Sequence, residues 1–222
     1  MMKILLPWRA GEEFRKLKSE KKWVIALLAV FIPGLLSLAG GMLIQQKQQP
    51  LTNQYVEEMD VLTEAQREAM ENIQGLTVVI GTVFGIVFIA VAWVLKSVVF
   101  HVFARILHGE QVEISSTIHL IAYTYLPFIF KGILDIFRGL TYQPPPYEEF
   151  MYQLQHPDVL LNFVREHNIF FIWALILMAI AVREQYNLSY KKAAVAVLLP
   201  YIVYIIAQIA LTSLSGQLMG GM

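Results

Sequence analysis

The chain of 222 residues contains no cysteine, and charged residues make up only 15% of it. The first absence excludes disulfides, thiol redox chemistry and thiolate metal sites, although it does not report the compartment. So few charges cannot cover the surface of a soluble domain of this length. Acidic and basic residues balance to a formal net charge of zero, so nothing in the charge indicates nucleic-acid binding.

Sequence patterns of catalytic sites are also missing. There is no Walker A motif and no dinucleotide-binding glycine pattern, and no serine lies in a nucleophile elbow. None of the five histidines has the i, i+4 partner and the neighbouring glutamate of a helical zinc protease. The acidic pair Glu148-Glu149 lies in a predicted loop rather than in an apolar segment. We therefore predict that the protein is not an enzyme and that it holds no metal or cofactor.

Long apolar runs are what the chain does contain. Hydrophobic residues make up 57% of the sequence, and several runs approach the length that crosses a bilayer. Continuous runs in lipid predict helices, because a barrel strand would show short alternating segments. The sequence therefore predicts an all-α polytopic membrane protein, a bundle of five transmembrane helices with short amphipathic helices outside the membrane. The predicted spans are 23–44, 76–95, 118–137, 168–187 and 193–214.

Basic residues predict the orientation of the chain. Lysine and arginine are concentrated in the tail 1–22, in the connection after the second span and in the connection after the fourth. The positive-inside rule then makes 1–22 a cytoplasmic tail and 215–222 an external one, in a multi-pass protein of the cell membrane. Within the tail, Trp8, Phe14 and Leu17 interleave with basic residues. This pattern is typical of a short helix on an anionic leaflet, or of a topogenic tail with no further role.

The third span, 118–137, carries an unusual set of polar residues for a membrane helix. Its candidate intramembrane polar cluster consists of His119, Tyr123, Lys131 and Asp135. Intramembrane charges are costly, so Lys131 and Asp135 predict either an ion pair on adjacent turns or part of a polar path for a solute. Pro127 is a candidate helix kink that interrupts the set, so a continuous proton path along one stripe is not favoured.

Small residues at four-residue spacing allow helices to approach closely. Gly81 and Gly85 are candidate packing positions in the second span, and Ser37-x-x-x-Gly41 has the same spacing in the first. We expect these residues to pack the internal bundle rather than to dimerise the protein.

A polar connection, 108–117, leads into a helix that contains Ala122-Tyr123 and then Pro127, and a second polar connection spans 187–193. Together these features resemble the Yip (Ypt-interacting protein) domain family, and the short chain is similar to its prokaryotic members. The family often has paired glycines in the first connection, whereas Gly109 is followed here by Glu110. The long N-terminal region of eukaryotic members is absent, so their membrane-traffic and small-GTPase roles are not carried over. The resemblance implies an accessory membrane protein, sometimes associated with ABC-type exporters.

Two functions remain open on the sequence. We favour a non-catalytic membrane scaffold or accessory protein whose partners are the bilayer and another membrane protein, an ABC-type exporter being one candidate. The alternative is a small permease or carrier that uses the polar residues of the third span. Nothing in the sequence indicates the oligomeric state.

Overall fold

The computed structural model describes residues 2–58, 64–156, 163–165 and 167–220. Every regular element within these ranges is helical. A 3₁₀ turn at Met2–Leu5 precedes the first α-helix, and a second at Tyr123–Tyr125 follows the fourth. The α-helices are α1 (Pro7–Ser19), α2 (Trp23–Glu58), α3 (Glu64–Ile106), α4 (Ile114–Ala122), α5 (Phe128–Thr141), α6 (Tyr147–Gln155), α7 (Ile169–Tyr186) and α8 (Tyr190–Gly220).

Four helical segments of the described chain are long and apolar enough to cross a membrane. They are Trp23–Glu58, Ile80–Ile106, Ile169–Tyr186 and Tyr190–Gln208. Helices α4 and α5 meet the same criteria only together, as a bent pair, which makes a fifth crossing if the pair is one span. The all-α part of the predicted fold class is confirmed, and four or five helices of the described chain are long and apolar enough to span a membrane.

Three of the helices extend well beyond the predicted spans. Helix α2 continues past 23–44 to Glu58, and α3 includes 76–95 but runs from Glu64 to Ile106. Apolar composition indicates the part of a helix that suits lipid but does not indicate where the helix ends. The glutamine, glutamate and lysine residues beyond the apolar part are also good helix formers, so the helices continue through them. Helix α8 likewise continues to Gly220, so most of the predicted tail 215–222 is helical, and residues 221–222 lie outside the described chain.

The predicted third span, 118–137, is not one continuous helix. Helix α4 ends at Ala122, a 3₁₀ turn covers Tyr123–Tyr125, and α5 begins at Phe128, directly after Pro127. A proline inside an α-helix lacks a donor and its ring clashes with the carbonyl four residues earlier, which is that of Tyr123. The chain changes direction here, and the kink expected at Pro127 falls at this break.

The chain divides into two compact units. Unit 1 comprises Met1–Leu27, Trp93–Thr124 and Trp173–Met222, and unit 2 comprises Leu28–Ala92 and Tyr125–Ile172. Most of the largest fully buried side chains of unit 1 come from α1, α4 and α7 and from the turns beside them. They include Ile4, Phe14, Leu120, Ile121, Tyr123, Leu177 and Tyr186.

Helices α2 and α5 of unit 2 pack closely because glycines stand where they meet. A Cβ atom added at Gly40 would lie 2.6 Å from the carbonyl oxygen of Asp135, and one at Gly139 would lie 2.7 Å from the oxygen of Gly40. A Cβ at Gly132 would lie 2.5 Å from Cβ of Leu36. These distances leave no room for a side chain, so the two backbones are in direct contact.

The pairs of small residues expected from the sequence play a smaller part in helix packing. A Cβ at Gly85 would lie 3.3 Å from Cδ1 of Leu38, which makes Gly85 a contact between α3 and α2. At Gly81 and at Gly41 an added Cβ would meet nothing within 4 Å. The expected packing role therefore does not extend to those two glycines. Of the two neighbouring glycines of α2, Gly40 lies on the helix face that contacts α5 and Gly41 does not.

The proline-rich segment after α5 is anchored at both ends in unit 2. Lys47 Nζ donates to the carbonyl oxygens of Leu140 at 2.6 Å and Tyr142 at 3.0 Å. A cation there stabilises the C-terminus of α5, whose last carbonyls have no helical partner. At the other end, the hydroxyl of Tyr147 donates to Glu58 at 2.8 Å.

Candidate functional site

The four residues of the predicted polar cluster form two separate pairs. His119 and Tyr123 belong to unit 1, where they are 1% and 0% exposed. Lys131 and Asp135 belong to unit 2, where they lie one turn apart on α5. Each pair has partners within its own unit.

His119 sits in an aromatic pocket at the start of α2. Its ring makes edge contacts with Trp23 and with Tyr123, each at 5.3 Å between ring centroids. The Tyr123 hydroxyl lies 3.4 Å from Nε2 of His119 and donates to the carbonyl oxygen of Lys22 at 3.3 Å. The group thus ties α4 to the entry of α2, which is a structural role for a buried histidine.

Lys131 and Asp135 form an ion pair. Lys131 Nζ donates to Oδ2 of Asp135 at 2.5 Å, and their side chains are 31% and 17% exposed. The spacing of four residues brings the two side chains to the same face of α5. Each charge therefore neutralises the other, which lowers the cost of carrying them in an otherwise apolar helix.

A second polar group in unit 1 lies around Tyr186, the last residue of α7. Its hydroxyl lies 2.5 Å from Oγ1 of Thr117 on α4 and 2.6 Å from Nδ1 of His101 on α3. Tyr186 is fully buried and Thr117 is 1% exposed. The hydroxyl thus joins three helices, because it can donate one hydrogen bond and accept another.

Sequence reasoning missed this group. His101, Thr117 and Tyr186 are far apart in the chain, and no spacing between them signals contact. A tyrosine at the end of an apolar helix is ordinarily interpreted as an interface anchor. The one usable signal was that each residue lies close to a polar connection of the family pattern.

The two polar connections of that pattern meet each other in unit 1. Helix α3 ends with His108 in the left-handed region (φ 63°), while Gly109 N–H bonds to Ala104 O at 2.9 Å. Helix α7 ends in the same way, with Asn187 at φ 51° and Leu188 N–H bonded to Arg183 O at 3.1 Å. Both are Schellman-type ends, which supply partners to carbonyls that a helix terminus leaves free.

Direct hydrogen bonds join these two helix ends. Glu110 N–H donates to Tyr186 O at 3.0 Å, and Asn187 Nδ2 donates to Oε1 of Glu110 at 3.0 Å. Gly109 is required by space, since an added Cβ would lie 2.9 Å from Cβ of Tyr186. Only glycine lets the end of α3 approach α7 so closely.

Lysines from elsewhere in unit 1 reach the same helix ends. Lys18 of α1 donates to Gln185 O at 3.0 Å, and Lys192 of α8 donates to Leu107 O at 3.1 Å. Cations are favourable at C-terminal carbonyls because of the helix dipole. Next to them the Gln185 side chain is 2% exposed, and neither its nitrogen nor its oxygen has a partner among the described residues.

The ordered N-terminal segment differs from a free basic tail. Phe14 and Ala10 of α1 are fully buried, and Trp173 Nε1 donates to Leu5 O at 2.9 Å. Lys21 donates to Glu113 at 3.1 Å, and this hydrogen bond, with that from Ser115, holds the pKa of Glu113 below its ordinary value of 4.5. The segment before α2 is therefore part of the fold of unit 1.

The contacts at these sites are pairings between polar side chains and between side chains and backbone carbonyls. Among the residues that the structure describes, no three histidine, aspartate or glutamate side chains are grouped to hold a metal ion. Within the predicted polar cluster, Lys131 bonds to Asp135, and Tyr123 contacts His119 and the carbonyl oxygen of Lys22. Together with the candidate spans, this defines a helical, multi-pass type of membrane protein with internally paired polar groups.

Comparison with protein families specifies the class further. The Yip1 domain matches residues 4–212 of the 222-residue chain. The chain belongs to the Yip1 domain family, which is not a family of enzymes. The match begins at residue 4 and so includes the segment that packs against α7. Comparison with curated proteins and with solved structures gives no match.

Proposed function

We propose that the protein is a non-catalytic membrane scaffold or accessory protein that binds another integral membrane protein through its helix surfaces. The ion pair between Lys131 and Asp135 carries this proposal. The two side chains are 2.5 Å apart on one helix and neutralise each other, so neither charge needs a solute or a proton to compensate it. Membership of the Yip1 domain family supports a membrane accessory role.

The polar groups of unit 1 support the same function. Thr117 and His101 both bond to the hydroxyl of Tyr186, and Tyr123 bonds to a backbone carbonyl. Satisfied buried polar groups stiffen a helix bundle and define its packing. A stiff bundle suits a protein that presents a fixed surface to a partner.

Helix α3 offers the surface that we propose for the partner. Phe84 and Phe88, one turn apart, are 69% and 71% exposed. Helix association in lipid depends on shape and packing, because lipid tails are as apolar as side chains. The partner class is an integral membrane protein, and an ABC-type exporter is the candidate that the resemblance to prokaryotic members implies.

Photo-crosslinking in intact membranes tests this proposal. A photoreactive amino acid at Phe84 or Phe88 should give a crosslink to one specific multi-span protein, identified by mass spectrometry. The matched control is Phe100 on the same helix, which is 5% exposed and should give no intermolecular product. Crosslinks to lipid alone at both exposed positions would contradict the scaffold function.

A permease or carrier is the second candidate, and the interruption of the third predicted span favours it. Broken membrane helices line the substrate sites of many transporters. The break before Phe128 and the partial exposure of Lys131, 31% of its side chain, fit such a site. Solute or proton flux in proteoliposomes that is abolished by Lys131→Met would favour this candidate. Absence of flux would favour the scaffold function over the carrier.

A further inference from the structure

The outward surface of α1 is basic and carries an exposed tryptophan. Trp8 is 77% exposed, Arg9 is exposed, and the side chains of Arg15 and Lys16 are 64% and 66% exposed. Glu12 is the one exposed anion among them. We call these five residues the outer face of α1. Three of these residues are cations and one is an anion, and Arg15 and Lys16 also pair with Glu184 and Glu13. Arg9 is therefore the cation of this face without an ion-pair partner among the described residues.

The inner face of α1 is occupied by protein. Ala10 and Phe14 are fully buried, and Phe14 is one of the three apolar residues of the tail in the pattern that predicted a helix on the membrane surface. Because Phe14 already packs inside unit 1, any contact of α1 with the membrane must use the opposite side of the helix. Residues three and four apart share a helix face, so Trp8, Glu12 and Arg15 point together.

Helix α1 lies alongside α7, one of the candidate spans. Leu5 accepts a hydrogen bond from Trp173, a Cβ at Gly11 would lie 3.9 Å from Cγ2 of Ile180, and Lys18 reaches Gln185. The contacts advance in the same direction on both helices, so α1 runs beside α7 rather than away from it. A charged face beside a candidate span has to lie where headgroups or water reach it, because the hydrocarbon core would not solvate its charges.

The chemistry of the outer face identifies what borders it. Charged side chains are too costly for the hydrocarbon core, whereas tryptophan, arginine and lysine are favoured in the headgroup layer. Arg9 has no partner among the described residues, while Arg15 pairs with Glu184 and Lys16 with Glu13. We propose that the outer face of α1 lies in the headgroup layer and binds anionic phospholipid headgroups. This proposal does not depend on the scaffold function.

The absence of cysteine makes a site-specific test direct. Glu12→Cys carries a nitroxide spin label at the centre of the outer face, in protein reconstituted into phosphatidylcholine vesicles or into equimolar phosphatidylcholine and phosphatidylglycerol. A water-soluble neutral nickel chelate measures how far the label is exposed to water, and molecular oxygen measures how far it is exposed to lipid. In anionic vesicles we expect the label to be less accessible to the chelate and more accessible to oxygen than in phosphatidylcholine vesicles. The added change Arg9→Gln/Lys16→Gln should abolish that shift.

Two controls separate lipid binding from other effects. A label at Gln143, which is exposed in the proline-rich segment of unit 2, should respond equally in both vesicles. Arg15→Gln removes the contact with Glu184 and reports whether a shift reflects release of α1 from α7. A label at position 12 that is fully accessible to the chelate in both vesicles overturns the proposal. Protection of this label from the chelate that is equal in both vesicles also overturns the proposal, because anionic lipid would then not be its cause. Protection that depends on protein density overturns it too, since a second protein copy would then cover the face.

Discussion

The packing of α2 on α5 gives a sharp prediction, because two neighbouring glycines of α2 have opposite surroundings. A Cβ atom at Gly40 would collide with the backbone of Asp135 and Ile136, because it would lie 2.7 Å from the backbone nitrogen of Ile136. A Cβ at Gly41 would meet nothing within 4 Å. We therefore compare Gly40→Ala with Gly41→Ala.

Both changes place the same residue in the same helix, so their gain in helix propensity should cancel in the comparison. That gain is roughly 0.5–1 kcal/mol for glycine to alanine in a helix interior. What remains is overpacking at Gly40, which typically costs about 1–3 kcal/mol. The obstacle is backbone, so no change of rotamer can relieve it. We expect Gly41→Ala to be at least as stable as the wild type and Gly40→Ala to be less stable by about 1–3 kcal/mol than Gly41→Ala.

Equilibrium unfolding in mixed micelles, with a denaturing detergent as titrant and circular dichroism as signal, measures this difference. Gly85→Ala should fall between the two variants, because its Cβ would meet only the end of the Leu38 side chain at 3.3 Å. If Gly40→Ala unfolds at the same detergent fraction as Gly41→Ala, the close contact of α2 with α5 is refuted.

Three further predictions concern unit 1. Tyr186→Phe leaves Thr117 and His101 without their shared partner and should lower the free energy of unfolding by about 1–3 kcal/mol. The control is Tyr190→Phe, at a residue that is 65% exposed, which should have no comparable effect. Gln185→Met removes a buried amide without a partner among the described residues, so the variant should be at least as stable as the wild type, and a clear loss of stability would show that the amide is bonded. The lowered pKa of Glu113 means that its contact with Lys21 contributes stability above pH 4.5, and this contribution is lost as the pH falls through the lower folded-state value. The difference in thermal stability between wild type and Glu113→Gln should therefore be present at neutral pH and vanish in acid; a difference that is constant with pH would exclude the ion pair as its cause.

The apolar segments were predictable because hydrophobicity is a local property of the sequence. The ends of the helices were not, since the polar residues of α2 beyond 44 form helix as readily as the apolar ones. The break in 118–137 was signalled by Pro127, because proline acts on its own helix. The extent of the interruption, including the 3₁₀ turn at Tyr123–Tyr125, depends on packing that the local sequence does not specify.

The site was predictable only where its partners are neighbours in the chain. Lys131 and Asp135 are one turn apart, so their pairing follows from helix geometry. The contacts of Tyr186 join three helices, and the choice of Gly40 over Gly41 depends on the rotation of α2 against α5. Both are properties of tertiary packing, which cannot be predicted from residue spacing along a single helix.

The central claim is that Lys131 and Asp135 form an ion pair that stabilises the fold. A double-mutant cycle of Lys131→Met, Asp135→Leu and the double variant tests it most directly, by unfolding in mixed micelles. We predict that each single change destabilises the protein, because it leaves one charge without its partner, and that the double variant recovers most of the loss. Additive effects of the two changes, with no recovery in the double variant, would contradict the claim.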